Sequence, residues 1–271
     1  MSSSRTGNES RRPTKAERKE QARLEREQIQ HKMASRKRNR NVGVVLIALA
    51  VVVAIVVVVI TSVGGSAAIA SPQTLLAKAS SEQKAAGCGQ VQTTPNYANA
   101  PGADPDIDHA HIGDTADPNA PATPPSLSTY PTWPPASGPH EPPPLGPIAA
   151  GVYDSPPDIY GAIHSMEHAA AIVWYAPSAA DSTAVKQIKA FYRQTNNVGQ
   201  SKVIVAPYDY PTQGAHGQLP AGVLMALVAW HRLQTCAQPN LAAAFDFTSQ
   251  YANTYPGRNY IGVAREPNAA M

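Results

Sequence analysis

A run of 19 residues from Val42 to Ile60 carries no charged side chain and consists almost entirely of Val, Ala, Ile and Leu. At about 1.5 Å rise per residue, a helix of this length spans roughly 28 Å, the thickness of the hydrocarbon core of a bilayer. A surface helix of a soluble domain keeps one polar face, whereas this helix would be apolar on every face. The sequence therefore predicts one membrane-spanning helix at residues 42–63.

The charges on the two sides of this run predict its orientation. Residues 1–40 hold 13 Lys and Arg against 5 Glu, and subtracting these from the chain totals of 22 and 19 leaves 9 against 14 for the remainder. Because basic flanks stay in the cytoplasm, residues 1–41 are expected inside and the chain after residue 63 outside. The protein is thus expected in the cell membrane, with the lipid bilayer as a partner and with no nucleic-acid partner.

A cleaved secretory leader is the alternative to a retained anchor. Ala68, Ile69 and Ala70 resemble the small-residue site at which leaders are cut, so cleavage would follow Ala70. The charged front and the apolar run are both long for a leader, which favours the anchor. In either case the C-terminal part of the chain is expected to be extracytoplasmic.

The cysteine content agrees with an oxidising compartment. The chain has two cysteines, Cys88 and Cys236, and both follow the apolar run. Outside the cytoplasm a lone pair of this kind usually forms a disulfide, and two buried free thiols are the alternative. The bond would close a loop of about 148 residues.

Composition divides the rest of the chain into a linker, a domain and a tail. Residues 64–128 are expected to hold a juxtamembrane helix, capped by Ser71, and a proline-rich linker. Residues 95–157 contain 17 of the 26 prolines, which remove backbone donors and leave little regular structure. Because aromatic residues such as Trp133 interrupt the prolines, we expect the chain from about Thr129 to lie against the domain as an ordered loop.

Residues 129–256 are expected to form the folded domain, followed by a tail at residues 257–271. The predicted strands are residues 169–175, 202–207 and 223–230, and the predicted helices are residues 180–195 and 240–251. A helix is the alternative for the run at 223–230. This order of elements predicts an α/β or α+β fold, with one small extracytoplasmic domain behind a single N-terminal transmembrane helix.

Histidines beyond the predicted span are the candidates for chemistry. His164 and His168 are four residues apart, so they can chelate one ion if a helical turn precedes the strand. His140 and His111 are further candidate ligands, and so is Met166. Imidazole suits zinc and copper, and a thioether selects Cu(I). The leading hypothesis is copper or zinc binding by these residues; the alternative is a structural role without a cofactor.

Two other functions remain open. One is a metal-independent module that binds an envelope protein through the proline and aromatic surface. The other is a metal-dependent hydrolase, because His164-Ser165-Met166-Glu167-His168 matches the H-x-x-E-H pattern of a class of zinc proteases. In that class the glutamate is the general base. The sequence alone does not decide whether the protein is an enzyme.

Several short motifs occur in an order that resembles a known family. They are PPASGPH at 134–140, GVY at 151–153, HSMEH at 164–168, VAPY at 205–208, and AW at 229–230 followed by Cys236. Over roughly residues 86–256 they resemble bacterial membrane-anchored proteins known only as a domain of unknown function. The family pattern has Thr, Gly and Gly where this chain has Ala136, Ala169 and His231, and glycine permits backbone angles that alanine does not. The resemblance implies the domain limits and the cysteine pair, and no particular activity.

A reporter joined after Met271 tests the predicted topology. If the basic front stays inside and the span crosses once, a reporter enzyme that works only outside the cytoplasm should be active in this fusion. Activity is measured in intact cells, and the same fusion lacking residues 42–63 is the control. Activity of a strictly cytoplasmic reporter at the same position contradicts the layout.

Overall fold

The computed structural model describes residues 70–97, 105–196, 202–253 and 260–271. The predicted span at residues 42–63 lies outside these ranges. Within them, each helix lacks the length or the apolar character that crossing a bilayer requires. The membrane anchor therefore stays a prediction.

Six strands form one sheet in the described part of the chain. They are β1 (Gln92–Thr93), β2 (Gly151–Val152), β3 (Ala171–Tyr175), β4 (Val203–Pro207), β5 (Met225–Ala229) and β6 (Arg232–Cys236). Their order across the sheet is β1-β6-β5-β3-β4-β2. β2 and β3 run parallel to β4, whereas the pairs β3–β5, β5–β6 and β6–β1 are antiparallel. A mixed sheet with helices agrees with the α+β alternative of the predicted fold class.

Four α-helices lie in the same described ranges. They are α1 (Pro72–Ala85), α2 (Ile159–Glu167), α3 (Thr183–Asn196) and α4 (Leu241–Tyr251). In three of them the side chain before the first turn accepts a hydrogen bond from a backbone N–H three residues further on. These capping residues are Ser71, Asp158 and Asn240. Each cap satisfies a donor that the start of a helix leaves unpaired.

The main predicted elements of the domain are confirmed, with slightly different bounds. The runs at 169–175, 202–207 and 223–230 are strands β3, β4 and β5, so the helical alternative for the third run is wrong. The helices predicted at 180–195 and 240–251 are α3 and α4. Strands β1, β2 and β6 were not predicted, and α2 was expected only as the condition for a shared metal ion.

Alternating side chains of the central strands divide the core into two layers. On the first face of the sheet, Val173 and Leu227 pack against α1, α3 and α4. On the second face, Trp174 and Val228 pack against α2 and against residues of the proline-rich segment. Because both faces are covered, these strands appear in the sequence as continuous apolar runs. The candidate site lies on the second face.

The proline-rich segment lies against the second face, and side-chain donors hold it there. The Tyr130 hydroxyl donates to the carbonyl of Pro139 at 2.5 Å. The Trp133 indole N–H donates to the carbonyl of Gln218 at 2.5 Å, and its ring lies 4.6 Å from that of His216. The predicted ordered loop is confirmed, and the described part of this segment begins earlier than expected, at residue 105.

A disulfide joins the chain after α1 to the end of β6. Cys88 and Cys236 are bonded, with an S–S distance of 2.03 Å and a sequence separation of 148 residues. α1 also packs against α4, where the Gln83 amide donates to the Asp246 carboxylate at 3.0 Å. The bond therefore fixes α1 to the sheet at one end, and α4 holds it along its side.

Replacing Cys88 with alanine should lower the free energy of unfolding. Without the bond, the long loop between the cysteines is unconstrained in the unfolded chain, and the expected loss is about 2–5 kcal/mol. Urea denaturation of wild-type protein and Cys88→Ala measures it. Reduced wild-type protein is the control and should lose the same amount; equal stability in all three samples contradicts the prediction.

Candidate metal centre

Helix α2 and the residue that follows it carry three side chains of the site on one side. His164, Glu167 and His168 are spaced i, i+3, i+4, which places them on the same side of a helix. The helix begins at the Asp158 cap and ends after Glu167, and Ala169, with φ of 64°, then turns the chain into β3. The helical turn that two histidines need to share an ion is therefore present.

His111 and His140 reach the same place from the proline-rich segment. Backbone hydrogen bonds run from Ile112 N–H to the His140 carbonyl (2.9 Å) and from His140 N–H to the Ala110 carbonyl (3.1 Å). This short pairing places the two imidazole rings side by side, with centroids 5.0 Å apart. The His164 ring lies 5.1 Å from His111 and 4.8 Å from His140.

Three imidazoles and one carboxylate converge at this point. His111, His140, His164 and Glu167 each offer one ligand atom, and all four atoms lie within 4.8 Å of one another. All of these residues are buried except His111, which is half-buried. We call these four residues the His₃Glu cluster. Zinc and copper both accept such donors, so the cluster can hold a metal ion without revealing which one.

Three imidazoles of the site donate an N–H from Nδ1 to a main-chain carbonyl. The acceptors are Gly138 O for His140 (2.9 Å), Glu141 O for His164 (2.6 Å) and Ala270 O for His168 (2.6 Å). A carbonyl oxygen only accepts, so each of these rings carries a proton on Nδ1 and directs Nε2 towards the site. Metal-binding histidines are oriented in this way by their outer hydrogen bonds.

Two contacts then bring Nε2 atoms close to other polar atoms of the site. Nε2 of His164 lies 3.1 Å from Nε2 of His168, and Nε2 of His140 lies 3.1 Å from Oε2 of Glu167. A positive charge, either a proton or a metal ion, has to lie between the two atoms of each pair. For comparison, two nitrogens bound to one tetrahedral zinc lie about 3.3 Å apart. Nε2 of His111 is also buried and has no hydrogen-bond partner among the described residues.

Glu167 is held from two sides although it is only 4% exposed. Nδ1 of His109 lies 2.5 Å from Oε1, and His140 lies beside Oε2. Burial raises the pKa of Glu167, but the two imidazoles outweigh burial and hold the pKa well below its usual range. The carboxylate is therefore ionised and supplies the negative charge of the cluster.

Two of the histidines are held in the neutral form. Burial lowers the pKa of His164 to about 4, and His140 and His168 beside it act in the same direction. Burial and the neighbouring His140 also lower the pKa of His111. Metal ions bind neutral imidazole, so these two rings need not lose a proton to bind an ion at neutral pH.

The structure places four of the five predicted ligands together. His111, His140 and His164 belong to the His₃Glu cluster, and His168 contacts His164 at its edge. Met166 is instead 1% exposed within the apolar layer of the second face. It is two residues from His164, a rotation of about 200° on a helix, so its thioether points towards the sheet.

The sequence analysis did not predict Glu167 as a candidate ligand or the support that it receives from His109. Glu167 was considered only as a general base, although its spacing from His164 was a signal that both face the same way. His109 alternates with His111 along the chain, and its ring stacks on Trp230 with centroids 5.1 Å apart. No pattern in the sequence links His109 to Glu167.

A second buried carboxylate, Asp108, was also missed. It is 1% exposed, and it accepts hydrogen bonds from the Tyr97 N–H at 2.6 Å and the Ser137 hydroxyl at 3.3 Å. Nε2 of His231 lies 3.4 Å away. Burial raises the pKa of Asp108. This network holds the chain beside His109 in place.

Comparison with known proteins identifies the family. A family model described as a protein of unknown function (DUF3105) matches residues 125–264. The chain belongs to the DUF3105 family. The match confirms the resemblance seen in the motifs, and it contains His140, His164 and Glu167 but not His111. No curated protein and no solved structure matches the chain.

Two backbone positions beside the site are unusual. Among the described residues, Ala169 (φ 64°) and His231 (φ 55°) are the non-glycine residues with positive φ. A side chain in this left-handed region is strained by about 1–2 kcal/mol. Ala169 directly follows His168, and His231 contacts Asp108, so both strained residues border the site.

The metal-free protein should lose stability as the pH falls from about 6.5 to about 4. His164 has a pKa of about 4 in the fold against an ordinary value of 6.5, so in this window the unfolded chain binds a proton that the folded chain does not. The difference corresponds to roughly 3 kcal/mol. Urea denaturation across this pH range, after chelation of metal, measures the loss.

The variant His164→Gln is the control for this pH dependence. It removes the titrating ring, so its stability should change less over the same window. Below about 4.5 both proteins should weaken further, because the depressed pKa of Glu167 means that protonation removes its stabilising effect. Equal pH slopes above about 4.5 in the two proteins contradict the assignment to His164.

Proposed function

We propose that this DUF3105 domain binds one divalent transition-metal ion through His111, His140, His164 and Glu167. The orientation of the rings carries the proposal. His140 and His164 donate outward to carbonyls from Nδ1, which turns Nε2 of His140 towards Glu167 and Nε2 of His164 towards Nε2 of His168. Buried polar atoms with a purely structural role are normally paired with a donor. A metal ion in the His₃Glu cluster gives a partner to His140, to His164 and to the otherwise unpartnered Nε2 of His111.

The donor atoms favour zinc or copper(II) over Cu(I). Thiolate and thioether ligands select Cu(I), but both cysteines form the disulfide and Met166 packs in the apolar layer. Three nitrogens and one oxygen are enough to hold zinc, which can also take a fifth ligand. A ligand set of this kind is also compatible with copper(II), so both ions belong in the test.

The state of Glu167 favours holding a metal over hydrolysis. In H-x-x-E-H proteases the glutamate takes a proton from the attacking water. Here Oε1 is held by His109, and the carboxylate belongs to the set of ligand atoms itself, so it is not placed to act as the general base. The lowered pKa of Glu167 also makes it a weak base.

The packing of the aromatic residues argues against the interaction module. That hypothesis needs the rings of the proline-rich segment on the surface. Tyr130 is 6% exposed, and Trp133 is half-buried with its indole N–H bonded to Gln218. These rings attach the segment to the domain and leave little surface for an envelope protein.

We also propose that the domain lies outside the cytoplasm, held to the cell membrane by the span at residues 42–63. The positive charge before the span and the apolar length of the span support this orientation. The pairing of Cys88 with Cys236 is in keeping with an oxidising compartment. The lipid bilayer is then the expected partner.

Purified full-length protein should bind one Zn²⁺ per chain, and His111→Ala should weaken this binding strongly. Loss of a direct ligand should reduce affinity by more than the roughly 10–100-fold that loss of an outer hydrogen bond costs. His111 is half-buried, so the fold should tolerate the change. Isothermal titration calorimetry with Zn²⁺, repeated with Cu²⁺, measures affinity and stoichiometry.

The matched control is His216→Ala, which removes an imidazole next to Trp133 and outside the His₃Glu cluster. Its affinity for Zn²⁺ should equal that of the wild type. Circular dichroism of both variants shows whether the fold is kept. Failure of the wild type to take up either ion, or equal affinity in folded His111→Ala, would overturn the proposed function.

A further inference from the structure

The C-terminal segment of residues 260–271 lies over the His₃Glu cluster. The Glu266 N–H donates to the carbonyl of Glu167 at 3.0 Å. The carbonyl of Ala270 accepts the Nδ1–H of His168 at 2.6 Å, and Met271 packs against the apolar layer of the second face. The segment therefore contacts the end of α2, where two of the candidate ligands and His168 lie.

Lys202 fastens this segment to the turn after α2. Its ammonium group donates to the carbonyls of Pro267 (2.9 Å) and Ala269 (2.7 Å) in the segment, and to the carbonyl of His168 (2.7 Å). An ammonium group has three N–H donors, and these three acceptors can use all of them. The geometry of the segment relative to His168 is thus well defined.

Glu266 brings a second carboxylate to the edge of the cluster. Its Oε2 lies 3.3 Å from Nε2 of His168, which itself lies 3.1 Å from Nε2 of His164. The side chain of Glu266 is 55% exposed, whereas that of Glu167 is 5% exposed. Glu266 is therefore on the open side of the site, where a carboxylate can move towards an ion.

The carboxylate of Glu266 can balance the positive charge that a bound divalent ion would keep. A divalent ion bound by three neutral imidazoles and the ionised Glu167 retains one positive charge in a largely buried site. An uncompensated buried charge is unfavourable, and carboxylate oxygen is an ordinary zinc ligand. Among the described residues, Glu266 is the acidic side chain that contacts His168.

We propose that Glu266 is a further ligand of the bound ion, so that metal binding ties residues 260–271 to the domain. This inference rests on the proposed function. Binding of the ion and docking of the segment then strengthen each other by the same factor, because coupling between two equilibria is reciprocal. His168 lies between Glu266 and His164 and holds the segment in reach of the ion.

Glu266→Gln in the full-length protein tests this inference, because the substitution keeps the shape of the side chain and removes its charge. The variant should still bind one Zn²⁺, with an affinity reduced by about tenfold or more. Hydrogen–deuterium exchange read by mass spectrometry should show slower exchange in residues 260–271 when Zn²⁺ is added to wild type. The slowing should be about tenfold and should be lost in Glu266→Gln.

The control is Asp181→Asn, which removes an exposed carboxylate beside Lys186 at the start of α3, on the first face of the sheet. Its affinity for Zn²⁺ and the hydrogen–deuterium exchange of its C-terminal segment should match those of the wild type. The inference fails, and the proposed function stands, if Glu266→Gln binds Zn²⁺ as tightly as wild type and Zn²⁺ still slows hydrogen–deuterium exchange in its residues 260–271. If the wild type binds no Zn²⁺, the proposed function fails and this inference with it.

Discussion

The buried carboxylate of Glu167 is the constraint on which the site depends. An ionised group away from water is strongly unfavourable unless it is paired and hydrogen-bonded. Its partners, His109 and His140, both come from the proline-rich segment rather than from the helices and strands. Pairing the charge therefore requires that segment to lie on the second face of the sheet. The domain is organised around a compensated charge as well as around an apolar core.

The proline-rich segment is ordered by donors that reach its carbonyl groups. Prolines supply acceptors without N–H donors, so only short stretches of strand pairing form there. Tyrosine hydroxyls supply the missing donors. Tyr130 donates to the carbonyl of Pro139 and Tyr160 donates to the carbonyl of Pro125, each at 2.5 Å. At Gly138 the backbone has φ of 123°, and a Cβ atom would lie 2.7 Å from the Tyr130 ring, so only glycine fits. The same turn presents the carbonyl that orients His140.

The parts of the structure that could be predicted are those that a pattern of neighbouring residues in the sequence indicates. β3, β4 and β5 are buried on both faces, so they appear as apolar runs, whereas β6 alternates with polar residues such as Gln234 and was missed. α2 has only nine residues and is buried on all sides, so its apolar period is too short to stand out. In the site, the i, i+4 spacing of His164 and His168 predicted that the two rings lie on the same side of a helix. The positions of His109 and Glu266 beside the site depend on the course of loops, which no periodic pattern in the sequence predicts.

The docking of the C-terminal segment also has a practical consequence. The carbonyl of Ala270 accepts the His168 N–H, and Met271 packs on the second face, so this end of the chain lies beside the His₃Glu cluster. Anything joined to Met271 begins next to the candidate ligands. A polyhistidine purification tag there would bring a row of competing imidazoles to the site. The metal content of protein prepared in that way would report the tag as much as the domain.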